Sequence, residues 1–221
     1  MKQLFLTFLA VTGLSSCGLF SEAPAPTLFE QDFNRSTEAN CLDGLSLYEG
    51  NFGYKKLGEE RCLQSAVVEA FQGFMFGPDN VDSVDLQADF YAYITEAAMP
   101  TFGLGTHGSK GPRLIACQNN THPELRLILG QEQFLGSHPF SLVPQAWHTM
   151  RFTTERLPNG FLRCRGRIWP RGTPEPTYWM IDIQLDGELK TGHASAWVVT
   201  FNRNPVYIDN IKETAVKPIK N

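Results

Sequence analysis

Three arginines at alternate positions, Arg163, Arg165 and Arg167, lead into Trp169. Side chains alternate across an extended strand, so residues two apart share a face. A guanidinium presents a planar fork of donors that fits carboxylates, phosphates and sulfates, and it also stacks on aromatic rings. Three of them beside an indole would form a cationic, aromatic-capped platform for an acidic glycan or another anion. The competing outcome is cross-strand pairing with Asp182 and Asp186, which would consume the charge for little gain in stability. Asp182 and Asp186 also share a face, the arrangement in which paired carboxylates can cleave a glycosidic bond. Asp186-Gly187 reads as a turn, however, and no catalytic residues are assigned. Nucleophile-elbow, zinc-protease and phosphate-loop motifs are absent from the sequence. His107 sits in a Gly-rich stretch, Gly103 to Ser109, with no helix behind it for phosphate binding, and the stretch reads as a hairpin.

The elements that must position these residues are strands. Val84, Leu86, Ala88, Phe90, Ala92 and Ile94 alternate with Asp85, Gln87, Asp89, Tyr91 and Tyr93, the period-two pattern of a half-buried antiparallel strand. Leu125, Leu127 and Leu129 repeat it, as do Leu162, Cys164, Gly166 and Ile168, and then Trp179, Ile181, Ile183 and Leu185. Pro158-Asn159-Gly160 is a hairpin signal, and Asp186-Gly187 is another. Cys62 to Phe71 fits a short helix or a strand, and long helical periodicity is missing elsewhere. Many short strands with frequent turns predict an all-β sandwich or barrel. The chain of 221 residues has 42% hydrophobic and 19% charged residues, a composition that folds around one core. A net charge of −4 argues against a general affinity for nucleic acid.

The N-terminus carries a different chemistry. Met1-Lys2 precedes an apolar run from Leu4 through Leu14, too short for a permanent membrane helix, and no later run is long enough either. The run ends in Leu14-Ser15-Ser16-Cys17-Gly18. This string resembles the lipobox of bacterial lipoproteins. The resemblance implies cleavage before Cys17, a diacylglycerol on its thiol and acylation of the new amine. Residues 1–16 are then a signal peptide and 17–27 a lipidated, Pro-rich tether. The partner is a lipid bilayer, held by acylated Cys17, and the location is extracytoplasmic. Gly18 in place of Asp resembles the outer-membrane sorting pattern, where the cell has two membranes. The four other cysteines, Cys41, Cys62, Cys117 and Cys164, make an even number in an exported chain and suggest two disulfides. Cys41–Cys62 and Cys117–Cys164 are the favoured pairs among the three pairings, because the first two share an N-terminal segment and the last two lie on predicted strands.

Trp147-His148-Thr149-Met150-Arg151-Phe152, then Gly160, then Leu162 to Trp169, then Pro170-Arg171-Gly172-Thr173-Pro174-Glu175-Pro176 and Trp179 form a further signature. Together they resemble the concanavalin A-like lectin/glucanase superfamily, and its laminin-G-like bacterial members most. Leu28 to Phe33 looks like the opening strand of that family and Val206 to Ile211 like its closing strand. The resemblance implies a two-sheet antiparallel jelly roll over residues 28–221. The glucanase carboxylate string of the family is incomplete here, since the leading Glu before Asp182 is missing. Relatives hold a structural Ca²⁺ with carboxylates of the first and last strands, which would be Asp32 and Asp209 here, although Ca²⁺ needs six to eight oxygens. The expected function is a membrane-anchored, non-catalytic module that binds carbohydrate through Arg163, Arg165, Arg167 and Trp169. A glycan-active hydrolase or lyase and a structural envelope lipoprotein are the alternatives.

Overall fold

The computed structural model describes residues 24–94, 99–119, 122–130, 133–201 and 204–216. Cys17, the signal segment and most of the tether therefore lie outside the described residues. The strands are, in chain order, β1 (Thr27–Gln31), β2 (Ser46–Glu49), β3 (Phe52–Leu57), β4 (Glu60–Ser65), β5 (Phe71–Phe76), β6 (Val84–Ala92), β7 (Thr101–Gly105) and β8 (Pro112–Asn119). They continue with β9 (His122–Leu129), β10 (Gln133–Pro139), β11 (Trp147–Arg156), β12 (Leu162–Pro170), β13 (Ile181–Leu185), β14 (Ala194–Val199) and β15 (Val206–Ala215). One sheet runs β13-β12-β11-β6-β15-β4-β3, with β1 also paired to β15; the other runs β10-β9-β8-β7-β14-β5-β2. Every pairing is antiparallel. The molecule is a two-sheet jelly roll, a sandwich as the alternating strands predicted and the architecture that the family resemblance implied.

The alternation sets what each sheet buries. Leu86, Ala88 and Phe90 of β6, Met150 and Phe152 of β11, and Leu162, Cys164 and Ile168 of β12 enter the core from the first sheet. Phe74, Phe76, Phe102, Leu104, Leu114, Leu125 and Leu127 meet them from the second. Side chains of this size contribute about 1.5–3 kcal/mol each on burial, which makes this layer the main source of stability. Their neighbours in sequence point outward, which places Arg163, Arg165, Arg167 and Trp169 on the outer face of the first sheet. β1 pairs with β15 through Gln31↔Ile211 and Glu30↔Lys212, so the opening and closing strands are adjacent as expected. Cys62 to Phe71 divides between β4 and β5.

Two expectations are corrected. Asp186-Gly187 does not close a hairpin, because β13 pairs with β12 while β14 lies in the other sheet. The chain crosses between sheets there, with Gly187 at φ 105°. The expected disulfides are not formed: Cys41, Cys62, Cys117 and Cys164 are all buried free thiols. Strand parity explains why. Cys164 points into the core, whereas Cys117 packs with Ile115 and Ile128 on the outer side of the second sheet. Cys41 likewise lies in the core, while Cys62 alternates with core residue Leu63 and points to the other face. Burial pushes the thiols of Cys62 and Cys164 up to about 12, so both stay protonated and unreactive.

Candidate functional site

The outer face of the first sheet is a lattice of charge. Arg163 grips Asp182 of the neighbouring strand, with Nε to Oδ1 at 2.8 Å and Nη2 to Oδ2 at 2.5 Å. That bond holds the Asp182 carboxyl below its usual range. Arg165 reaches Glu155 on the other side at 3.4 Å, and Arg167 reaches Glu175 at 2.5 Å. Arg151, one strand further in, binds Asp85 of β6 with Nε 2.9 and 3.0 Å from the two carboxylate oxygens and a further bond from Nη2. Its Nη1 reaches Glu175 at 2.8 Å. The three sequence-predicted arginines thus share one face, yet each is matched by a carboxylate. They do not form a free cationic platform. Of the two aspartates considered as partners, only Asp182 serves; Asp186 lies beyond the end of β13.

The segment after β12 supplies the aromatic cap. Gly172, at φ 84°, allows a tight turn in which the Thr173 N–H bonds the Pro170 carbonyl at 3.2 Å. Pro174 and Pro176 then keep the chain extended, because their rings fix φ and remove donors. It folds back over the sheet, where Arg167 donates to the Pro176 carbonyl. Trp179 comes to rest on the arginines, 3.9 Å from Arg167, 4.9 Å from Arg165 and 5.9 Å from Arg151, centroid to guanidinium carbon. The cap is therefore Trp179, while Trp169 is buried on the same face of its own strand.

Beside Trp179 lies a shallow groove of about 410 Å³, bounded by Asp85, Arg151, Thr153, Arg165, Thr214 and the tether residues Pro24 and Ala25. Arg165 lines it, although its Nε is buried behind the groove surface and has no hydrogen-bond partner. Sequence reasoning missed Trp179, Arg151 and Asp85 as site residues. Asp85 stood in the polar register of β6, and Arg151 alternates with Met150 and Phe152, so the faces were legible. What was not legible is that the proline segment would carry Trp179 back over β12 to reach Arg151 of β11.

Asp209, one of two candidate calcium ligands, sits directly opposite Asp89 on β6. Burial, with repulsion from Asp89 added, pushes its carboxyl up to about 7. Arg171 Nη1 lies 3.4 Å from Asp89 and 3.6 Å from Asp209, and its Nη2 is 2.6 Å from Glu60. Asn210, in a left-handed conformation at φ 50°, donates its amide to Asp89 at 2.8 Å. This pair is the nearest approach to an acid–base couple, but both carboxylates are almost fully closed to solvent. Asp32, the other candidate, accepts the Asn34 N–H in a local turn at 3.1 Å. Among the described residues, no group of three or more His, Cys, Asp or Glu is arranged to hold a metal ion.

His107 belongs to a separate clamp between the sheets. Nε2 lies 2.9 Å from Asp82 and Nδ1 2.8 Å from Thr106 Oγ1. A neutral ring that donates to Asp82 and accepts from Thr106 satisfies both partners. Burial lowers its pKa against the pull of Asp82, and Asp82 is held in turn by Arg156 at 2.8 and 2.9 Å. Thr106 and His107 are both buried, so the ring ties the end of β7 to the segment before β6.

No protein-family model matches the sequence, and no curated protein matches it. Solved structures do. A Bacillus subtilis protein of unknown function with a galectin-like fold aligns with a TM-score of 0.61 at 9% identity, over 87% of this chain and 97% of that one. A legume lectin-like domain from Entamoeba histolytica aligns with a TM-score of 0.60 at 9% identity, over 88% and 100%. The carbohydrate binding module CBM66 from Bacillus subtilis aligns with a TM-score of 0.55 at 10% identity, over 78% and 96%. At such identities the likeness establishes the fold, a lectin-type jelly roll, and function must be argued from the site.

Proposed function

We propose that the chain is a membrane-anchored, non-catalytic carbohydrate-binding module whose ligand occupies the groove beside Trp179. The observation that carries this reading is the groove itself: an aromatic face next to Asp85, Arg151, Thr153 and Arg165. A sugar ring offers an apolar C–H face and a rim of hydroxyls that both donate and accept. An indole and fixed guanidinium–carboxylate pairs complement those two surfaces. The fold, shared with lectins and a carbohydrate-binding module, agrees with this reading. The catalytic alternative is less favoured because Asp89 and Asp209 are closed to solvent and committed to Arg171.

Anchoring rests on Leu14-Ser15-Ser16-Cys17. A single acyl chain holds a protein only marginally, and two or three hold it stably, at about 0.8 kcal/mol per buried CH₂. Two experiments test the proposal. The full chain in detergent should bind oligosaccharides on a glycan array, and Trp179→Ala should remove that binding while the melting temperature stays near the parent value. Cys17→Ser should move the protein from the membrane to the soluble fraction; an unmodified Cys17 in the wild-type mature protein, read by mass spectrometry, refutes the anchor.

A further inference from the structure

We infer that the groove selects neutral, hydroxyl-rich glycans and discriminates against acidic ones, an inference that rests on the groove being a glycan site. Three guanidiniums face the groove or its wall: Arg151, Arg165 and Arg167. Three carboxylates answer them: Asp85 on Arg151, Glu155 on Arg165, and Glu175 shared by Arg151 and Arg167. The local charge therefore sums to zero before any ligand arrives. An acidic sugar would have to displace a bound carboxylate or bring an unpaired one into a half-buried site, and neither is favourable. A neutral sugar faces no such cost. Its hydroxyls can donate to carboxylate lone pairs left free by the arginines. Trp179 is already stacked on the guanidiniums, so its far face is the one left for a ring.

The arrangement also says which residue keeps acidic ligands out. Glu155 is buried and is the sole carboxylate paired with Arg165 among the described residues. Replacing it with Gln keeps the shape of the side chain and leaves the Arg165 charge uncompensated toward the groove.

The test uses the full chain in detergent. It is titrated with neutral hexose oligosaccharides and with uronate- or sulfate-bearing oligosaccharides of matched length, at low and at high salt. The expected result is binding of the neutral set with an affinity nearly independent of salt, reduced roughly 10-fold or more by Trp179→Ala. Glu155→Gln should raise the preference for the acidic set over the neutral set by roughly 5-fold, and this gain should vanish at high salt. A wild-type preference for acidic oligosaccharides that falls steeply with salt overturns the selectivity while leaving the glycan site standing. Binding of neither set, with the protein folded by circular dichroism, overturns both. Because Glu155→Gln reads a gain rather than a loss, an unfolded variant cannot imitate the expected outcome.

Discussion

Glu213 shows how a single residue can set the pH response of the domain. It lies on β15 opposite Leu86, a core position, and its Oε2 has no hydrogen-bond partner. The carboxyl fits because Gly77, at φ 67°, has no Cβ; one placed there would sit 1.7 Å from Oε2. Burial alone pushes the group from its ordinary value of 4.5 up to about 7. Below about pH 4 the folded and unfolded states both hold the proton, and the mismatch leaves folding unaffected. As the pH rises toward 7 the unfolded chain releases the proton first, so stability falls across this window, by an amount on the order of 2–3 kcal/mol. Glu213→Gln removes the titration. The variant should be more stable than the parent at pH 8, and the gap should close at pH 4, as read by urea unfolding at both. Equal differences at the two pH values would show that the carboxyl does not ionise on its own in the folded state. Asp209, also pushed up to about 7, acts in the same direction. His107 acts in the opposite sense: its lowered pKa costs stability as the pH falls below about 6.5, where the unfolded ring gains its proton.

Among the elements, the two sheets approach so closely at one glycine that any side chain there would push on its neighbour. Gly166 lies in the middle of β12 on the inward face, and a Cβ there would meet Leu114 Cδ1 at 2.4 Å. Leu114 is a fully buried residue of the opposite sheet, and its side chain fills the space that Gly166 leaves. Gly166→Val should destabilise the fold by about 1–3 kcal/mol through overpacking, measured as a lower urea midpoint with an unchanged slope. Gly166→Val together with Leu114→Ala should recover part of that loss, which a generic strand defect would not allow. The need for glycine here was not legible in the sequence, because it depends on which residue of a distant strand stands opposite. The inward set of β12 was legible, since Leu162, Cys164, Gly166 and Ile168 alternate strictly, and so was the pairing of β1 with β15. The disulfides failed for a related reason: separation along the chain says nothing about parity, and parity puts Cys117 and Cys164 on different faces. The charge lattice was half legible. Arg163 with Asp182 and Arg165 with Glu155 are pairings between sequential strands, whereas Arg151 with Asp85 required the neighbourhood of β11 and β6, and Arg167 with Glu175 the return of the proline segment.

The groove and the tether meet. Pro24 and Ala25 form part of the groove wall, and the Pro26 carbonyl accepts the Ala215 N–H at 3.0 Å, which ties the start of the domain to the end of β15. Six residues lie between Cys17 and Pro24, so seven residue steps join them, and a fully extended chain covers at most about 3.5 Å per step. With lipid on Cys17, the groove is therefore held within roughly 25 Å of the bilayer surface. A ligand displayed on that same surface is met at a high effective concentration, which falls as the connecting chain lengthens. A twenty-residue Gly/Ser spacer inserted after Ser21 should leave the affinity for a soluble neutral oligosaccharide unchanged, because the groove and its Pro24–Ala25 wall are untouched. The same spacer should weaken capture of that oligosaccharide when it is attached to lipid in the vesicles carrying the protein. Titration of both presentations with and without the spacer gives four affinities. A spacer that shifts the soluble affinity as much as the vesicle affinity would mean that the tether acts on the groove directly and not through its reach.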